Sequence, residues 1–146
     1  MNPCLKKMLF AAVLFVPSLA AANAITVYKT ATCGCCADWV RHMEQAGFRP
    51  TVHDVPRDAL IERKKSLRVD PGLGACHTAT IDGYVVEGHV PAADVRRLLD
   101  EQPAIAGIAV PGMPQGSPGM DYGQRREAYN VIAFDDAGGF RVFARH

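Results

Sequence analysis

The sequence lacks an excess of charge of either sign. Its 146 residues carry 16 Lys and Arg against 15 Asp and Glu. Two of the basic residues, Lys6 and Lys7, lie in the amino-terminal segment, so the rest of the chain is close to neutral. No cluster of Lys and Arg along it offers the electrostatic footprint that nucleic acid or an anionic membrane surface requires. Partners that recognise a basic surface, such as nucleic acid or an anionic membrane, are therefore not expected.

The chain also lacks an apolar run long enough to cross a bilayer. Met8–Val16 spans only about nine residues, whereas a membrane-spanning helix needs about 20. Small residues follow this run and end in Ala22-Asn23-Ala24, the form of a signal-peptidase site. We therefore predict a cleaved signal peptide over residues 1–24 and a single domain over residues 25–146, with no membrane association after cleavage. Cys4 precedes the apolar run and is not assigned to any site.

Four cysteines remain in the predicted domain, and three of them are closely spaced: Cys33, Cys35, Cys36 and Cys76. An even number of cysteines in an exported protein usually indicates structural disulfides. The spacing argues against that role, because a bridge within the trio closes too short a loop to restrain much chain. Cys33 and Cys36 nevertheless have the Cys-x-x-Cys spacing of a dithiol oxidoreductase.

Apolar periodicity and turn residues predict the secondary structure. Up to residue 102 the elements are strand 25–28, helix 35–46, strand 48–55, helix 57–67, strands 78–81 and 84–87, and helix 91–101. This βαβα-ββα order is that of the thioredoxin-like fold, an α/β domain with a central mixed sheet flanked by helices. On helix 57–67, Leu60, Ile61 and Leu67 are predicted to face inward.

The carboxyl-terminal part has a different texture. A short apolar run, 105–110, precedes a loop rich in Pro and Gly over residues 111–120, which contains Met113 and Met120. So many Pro and Gly residues exclude a helix or a central strand there. Segments 129–134 and 140–143 form a predicted β-hairpin that extends the edge of the sheet.

The predicted topology brings distant sulfurs together. In this fold the loop after the first strand and the loop before the third strand end side by side, so Cys33, Cys35 and Cys36 are expected to meet Cys76 and His77. Cys35 and Cys36 would lie in the first turn of a helix, where free amide protons and the helix dipole stabilise thiolates.

The number and kind of donor atoms favour metal binding over disulfide chemistry. Cys35 lies inside the Cys-x-x-Cys spacing, where a third thiol would trap the mixed disulfide of a simple oxidoreductase. Thiolates together with thioethers select Cu(I), whereas zinc would require only cysteine and histidine. Met113, Met120 and His89 are candidate donors. Packing is the alternative role for the methionines, and capping of the following helix is the alternative for His89.

Several motifs together carry a resemblance to a known family. They are Thr32-Cys33-Gly34-Cys35-Cys36 with Trp39, Cys76-His77-Thr78, Gly88-His89-Val90-Pro91, Val110-Pro111-Gly112-Met113-Pro114 and Gly116-Ser117-Pro118-Gly119-Met120. In this order they span nearly all of the predicted domain. The chain thereby resembles the CopG-like family of periplasmic metal-binding proteins, long catalogued as a domain of unknown function.

The resemblance implies a thioredoxin-like, periplasmic protein of bacterial copper resistance whose clustered cysteines bind copper. By position, it implies that the cluster ligands are Cys33, Cys35, Cys36 and Cys76. It further implies that His77, His89, Met113 and Met120 are outer ligands or neighbours. Other periplasmic copper-resistance proteins are the expected partners.

Three hypotheses follow, in order of preference. The first is a periplasmic copper-binding protein that holds one or more Cu(I) ions as thiolates, with metal load coupled to the redox state of the sulfurs. The second is a thiol–disulfide oxidoreductase that uses Cys33 and Cys36. Against it, a thioredoxin carries a cis-proline just before the third strand, where this chain has Cys76-His77-Thr78. The third is a structural zinc domain. No catalytic residue is assigned.

Overall fold

The computed structural model of the protein describes residues 24–146. Apart from Ala24, the predicted signal peptide lies outside the described residues, and so does Cys4.

Strands and helices are interspersed up to residue 101, and three further strands follow the last helix. The elements are β1 Ala24–Lys29, α1 Gly34–Gln45, β2 Arg49–Asp54, α2 Arg57–Ser66, a short 3-10 helix Pro71–Leu73, β3 Thr78–Ile81, β4 Tyr84–Glu87, α3 Ala92–Glu101, β5 Gly107–Ala109, β6 Asn130–Phe134 and β7 Phe140–Arg145. Within residues 24–146, no helix has the length and apolar character required to cross a membrane.

All seven strands belong to one mixed sheet, in the order β2-β1-β3-β4-β5-β6-β7. The pairs β1–β2 and β4–β5 are parallel, and the other neighbours are antiparallel. The predicted α/β architecture with a central mixed sheet is confirmed. The carboxyl-terminal hairpin, β6 and β7, extends the sheet edge as expected.

The apolar run 105–110 contributes a strand that the sequence pattern did not reveal. β5 is only three residues long, and each of its residues is buried. It lies between β4 and β6, so both of its backbone edges are hydrogen-bonded within the sheet. A strand this short has no usable period of its own, and its partners on either side define it.

The core lies between the sheet and the amphipathic helices. Trp39 and Met43 of α1 and Leu98 of α3 are completely buried, and they pack in the same apolar cluster as Ile25 and Val27 of β1. On α2 the prediction for Ile61 is wrong. Only Leu60 of that helix is buried, whereas Ile61 is 44% exposed.

Candidate metal centre

Three cysteines lie at the amino terminus of α1. Cys33 is the N-cap residue, and its Sγ accepts a hydrogen bond from the backbone amide of Cys36 at 3.3 Å. Cys35 and Cys36 are in the first turn, where the helix dipole favours a negatively charged sulfur. Cys36 is buried, whereas Cys33 and Cys35 are partly exposed.

Two of these sulfurs are oxidised in the structure. Cys33 and Cys36 form a disulfide with their Cα atoms 5.3 Å apart, while Cys35 and Cys76 are free thiols. The bridge joins two residues only three positions apart in the sequence. It therefore restrains little of the unfolded chain and is a minor contributor to stability.

The fourth cysteine reaches the trio from the loop before β3. Cys76 Sγ lies 3.8 Å from Cys35 Sγ, which in turn lies 3.5 Å from Cys33 Sγ. The four sulfurs of Cys33, Cys35, Cys36 and Cys76 all lie within 4.8 Å of one another. The structure thus brings together the four cysteines that the topology was expected to unite.

A buried ion pair holds the Cys76 segment in place. Lys64 of α2 donates to the carbonyl oxygens of Ala75 and His77, at 3.1 and 3.0 Å, on either side of Cys76. The same ammonium group contacts Glu87 Oε1, which also accepts a hydrogen bond from the Ala75 amide at 2.8 Å. The Glu87 side chain is fully buried, and burial raises the pKa of its carboxyl group.

The sequence analysis missed this pair. Lys64 is one of three consecutive basic positions near the end of α2, and nothing in the local sequence distinguishes it from Arg63 and Lys65. The only available signal was Glu87, a carboxylate at the end of a β-strand that is otherwise apolar. A charged residue within a buried strand requires a partner, but the sequence does not say which one.

His89 presents a ring nitrogen to Cys76. Its Nδ1 donates a hydrogen bond to the carbonyl oxygen of Pro118 at 2.8 Å, because a carbonyl oxygen only accepts. In the neutral ring Nε2 therefore carries the lone pair, and it lies 3.0 Å from Cys76 Sγ. Metal-binding histidines are commonly oriented by such a bond from the other ring nitrogen to a backbone carbonyl.

The alternative role of His89 as a helix cap is not what the structure shows. The amide of Ala92, the first residue of α3, donates to His42 Nε2 at 3.0 Å. His42 was not assigned a role from the sequence, and in the fold it caps the amino terminus of α3.

Gly88 allows the chain before His89 to pack closely against the loop before β3. It has φ +72°, and a Cβ there would lie 2.5 Å from Ala75 Cβ.

His77 forms the inner wall of the centre. Its ring is completely buried and lies between Trp39, at 4.4 Å between centroids, and the edge of His89, at 5.0 Å. Its Nδ1 is 3.5 Å from Cys76 Sγ, and its Nε2 has no hydrogen-bond partner among the described residues. Cys76, His77 and His89 form a second donor group whose ligand atoms lie within 4.8 Å of one another.

The protonation equilibria of these groups reflect their burial. The pKa of the Cys76 thiol is raised to about 12, mainly by burial and to a smaller extent by repulsion from Cys35. Burial lowers the pKa of His89 and lowers that of His77 well below its usual value. At neutral pH the metal-free centre thus holds an uncharged thiol and two uncharged imidazoles. A bound cation would displace the thiol proton and find imidazole lone pairs available.

The loop rich in Pro and Gly packs against this centre. Gly119 has φ +83°, and a Cβ there would lie 2.6 Å from the carbonyl oxygen of Cys35. Met120 follows directly and is partly buried, whereas Met113 is 51% exposed. Tyr122 continues the contact by donating a hydrogen bond to Asp38 Oδ2 of α1 at 2.8 Å. The roles of Met113 and Met120 as ligands stay predictions.

Comparisons with known proteins place the chain in a family. Residues 73–120 match a family model described as "Protein of unknown function, DUF411", a range that includes Cys76, both buried histidines and both loop methionines. No curated protein sequence matches the chain.

Two solved structures are similar over nearly their whole length. "Copper resistance protein copG- Form 2" is 46% identical, with a TM-score of 0.80 over 86% of this chain and 98% of the other. "Copper resistance protein copG- Form 1" has the same identity and coverage, with a TM-score of 0.79. Identity and coverage this high, together with the shared architecture, show that the chain belongs to the CopG family.

Proposed function

We propose that this protein is exported to the periplasm and binds copper as Cu(I) through Cys33, Cys35, Cys36 and Cys76. The main support for this proposal is the distance of 3.8 Å between Cys35 Sγ and Cys76 Sγ at the amino terminus of α1. Four sulfurs within 4.8 Å constitute a soft donor set, and soft thiolates select Cu(I). The names of the two similar structures, copper resistance proteins, support copper as the metal.

The histidines complete the donor set on the inner side. His89 Nε2 and His77 Nδ1 face the same sulfur, Cys76 Sγ, at 3.0 and 3.5 Å. We assign them as further ligands or as orienting neighbours of Cys76. Met113 and Met120 are proposed as outer donors on the loop rich in Pro and Gly, residues 111–120, which we call the covering loop. Other periplasmic copper-resistance proteins are proposed as the partners that exchange copper with the centre.

Metal load and sulfur oxidation compete for the same atoms. In the structure Cys33 and Cys36 are joined, so only Cys35 and Cys76 are available as thiols. Reduction of the disulfide by two electrons and two protons restores all four. We therefore propose that Cu(I) binds the reduced form and protects it against oxidation, whereas an oxidising periplasm favours the disulfide in the metal-free form.

Anaerobic titration of Cu(I) into the reduced, signal-cleaved protein tests the proposal. We expect stoichiometric binding with loss of four alkylatable thiols. Binding should fall sharply in Cys35→Ser and Cys76→Ser, and pre-oxidation should reduce it. His53→Gln, in the exposed strand β2, is a control that should bind copper normally. Unchanged binding in both cysteine variants would refute the proposal.

A thiol–disulfide oxidoreductase is the second candidate, because the Cys33–Cys36 disulfide lies at the amino terminus of a helix. It predicts turnover of a model disulfide by the metal-free protein. Turnover should be lost in Cys33→Ser and faster in Cys35→Ser, which removes the competing thiol. A zinc domain would instead retain its metal affinity when Met113 and Met120 are changed to leucine.

A further inference from the structure

A cavity of about 500 Å³ opens beside the metal centre, between α2 and the loop before β3. Its volume is within the range of ~300–1,000 Å³ that small-molecule sites occupy. Cys76, Thr30, Leu60 and Ile61 contribute to its lining. Cys76 therefore belongs to two environments, because its sulfur contacts the cysteine cluster on one side and its residue lines the cavity on the other.

The lining of this cavity offers, among the described residues, one unpaired cationic group for the carboxylate of a ligand. It includes three cationic residues, Arg57, Lys64 and Lys65, and one carboxylate, Asp70. Lys64 is neutralised by buried Glu87 and Lys65 by Glu62 on the surface. Arg57 is exposed and forms no ion pair within the part of the chain that the structure describes. Arg57 thus offers a charge for a ligand carboxylate.

Ile61 supplies the apolar part of the wall. It was expected to face the core but is 44% exposed, and it lines the cavity next to buried Leu60. A large aliphatic side chain at the rim of a cavity provides a surface that a ligand's methylene groups would cover. Ile61 and Leu60 therefore give the cavity an apolar wall.

We propose that this cavity binds a low-molecular-weight thiol bearing carboxylates, and that such a thiol delivers Cu(I) to Cys76. The delivery step rests on the proposed function, whereas the binding of the thiol does not. Thiolates are preferred ligands of the soft monovalent ion Cu(I), and carboxylates on the thiol make such a complex anionic. Arg57 would hold a carboxylate at the rim while the ligand's sulfur approaches Cys76.

The transfer is a ligand exchange without a change of oxidation state. The bond between Cu(I) and the carrier's sulfur breaks, and a bond between Cu(I) and Cys76 Sγ forms. The proton of the Cys76 thiol goes to the departing thiolate, which leaves as a neutral thiol. The ion then has Cys35 Sγ, 3.8 Å from Cys76 Sγ, as its next ligand on the way into the cluster.

Binding is tested first on the copper-free, oxidised protein with S-methylglutathione, which keeps the carboxylates but has no free thiol. We expect amide chemical-shift changes at Thr30, Ile61 and Ala75 in a two-dimensional NMR titration. Arg57→Glu should weaken binding about fivefold, a magnitude typical of reversing one exposed charge. Arg145→Glu, on the exposed face of β7 at the other edge of the sheet, is the matched control and should bind normally.

Delivery is tested by stopped-flow transfer of copper to the reduced protein, either from Cu(I)–glutathione or from Cu(I) in dilute acetonitrile. We expect Arg57→Glu to slow transfer from glutathione about fivefold and to leave transfer from acetonitrile and the final copper stoichiometry unchanged. Equal slowing from both sources, or absence of shifts at Thr30, Ile61 and Ala75, would overturn the inference. If the protein binds no Cu(I), the proposed function fails. The NMR titration then still shows whether the cavity binds S-methylglutathione.

Discussion

His89 Nε2 lies 3.0 Å from Cys76 Sγ, while His89 Nδ1 donates a hydrogen bond to the carbonyl oxygen of Pro118. One imidazole thus connects the loop before β3 with the loop that covers the centre. The bond to Pro118 fixes which nitrogen faces the sulfur. The covering loop therefore contributes to the centre through its backbone, in addition to any contribution of its methionine side chains.

Replacing His89 tests this connection. We expect His89→Gln to weaken Cu(I) binding about tenfold, within the ~10–100-fold range for groups that orient or supplement metal ligands. A competition titration with a Cu(I) chelator measures the change. His53→Gln, in an exposed strand, should leave the affinity unchanged. An unchanged affinity in His89→Gln would show that His89 neither binds nor orients the metal site.

Gly119 tests how closely the covering loop must approach α1. Gly119→Ala would place a Cβ 2.6 Å from the carbonyl oxygen of Cys35, so we expect a loss of about 2 kcal/mol in unfolding free energy and weaker copper binding. Gly123→Ala is the matched control, because Gly123 also has a positive φ, +72°, but nothing lies within 4 Å of its added Cβ. Denaturant unfolding should give a clearly lower unfolding free energy for Gly119→Ala than for Gly123→Ala. Equal losses in the two variants would contradict the close approach of Gly119 to α1.

The buried pair of Lys64 and Glu87 makes a strong prediction about stability. Lys64→Met leaves the fully buried carboxylate of Glu87 without its cation, and we expect a loss of about 3 kcal/mol in unfolding free energy. Adding Glu87→Gln to that variant should recover part of the loss. Lys65→Met removes an exposed pair with Glu62 and should change stability by less than about 0.5 kcal/mol. Similar losses in the two single lysine variants would exclude a positioning role for Lys64.

The stability of the metal-free protein should fall as the pH falls below about 6.5. Burial lowers the folded-state pKa of His42, His77 and His89, so the unfolded chain binds protons first as the pH decreases. Each such histidine contributes full stability above the unfolded-state pKa of about 6.5 and loses up to about 1.4 kcal/mol per pH unit below it.

Denaturant unfolding of the metal-free protein at a series of pH values between 5 and 7.5 measures this dependence. His77→Gln should reduce the slope below pH 6.5, because it removes the fully buried ring. His53→Gln, an exposed position, should leave the slope unchanged. A flat profile in the wild-type protein would show that the histidines titrate normally in the folded state.

Local patterns predicted the secondary structure where the turn chemistry was specific. The hairpin of β3 and β4 was placed at its observed bounds, because Asp82 and Gly83 form a turn with positive φ at both positions. β5 escaped prediction because three residues have no measurable period, and its partners define it. Ile61 was misplaced because a helical period does not show which apolar positions face the sheet and which face a cavity.

The sequence by itself determined which sulfur and imidazole groups are available: three thiols at the start of a helix, a fourth beside a histidine, and two methionines on a loop. These follow from residue type and local spacing, which the chain carries in any conformation. Only the tertiary structure decided that Cys76 meets Cys35, that His89 faces the sulfur instead of capping the following helix, and that Lys64 and Glu87 hold the loop before β3. Such distances depend on how separate helices and strands pack against one another. Because the interior is close-packed, that arrangement depends on all the core side chains together.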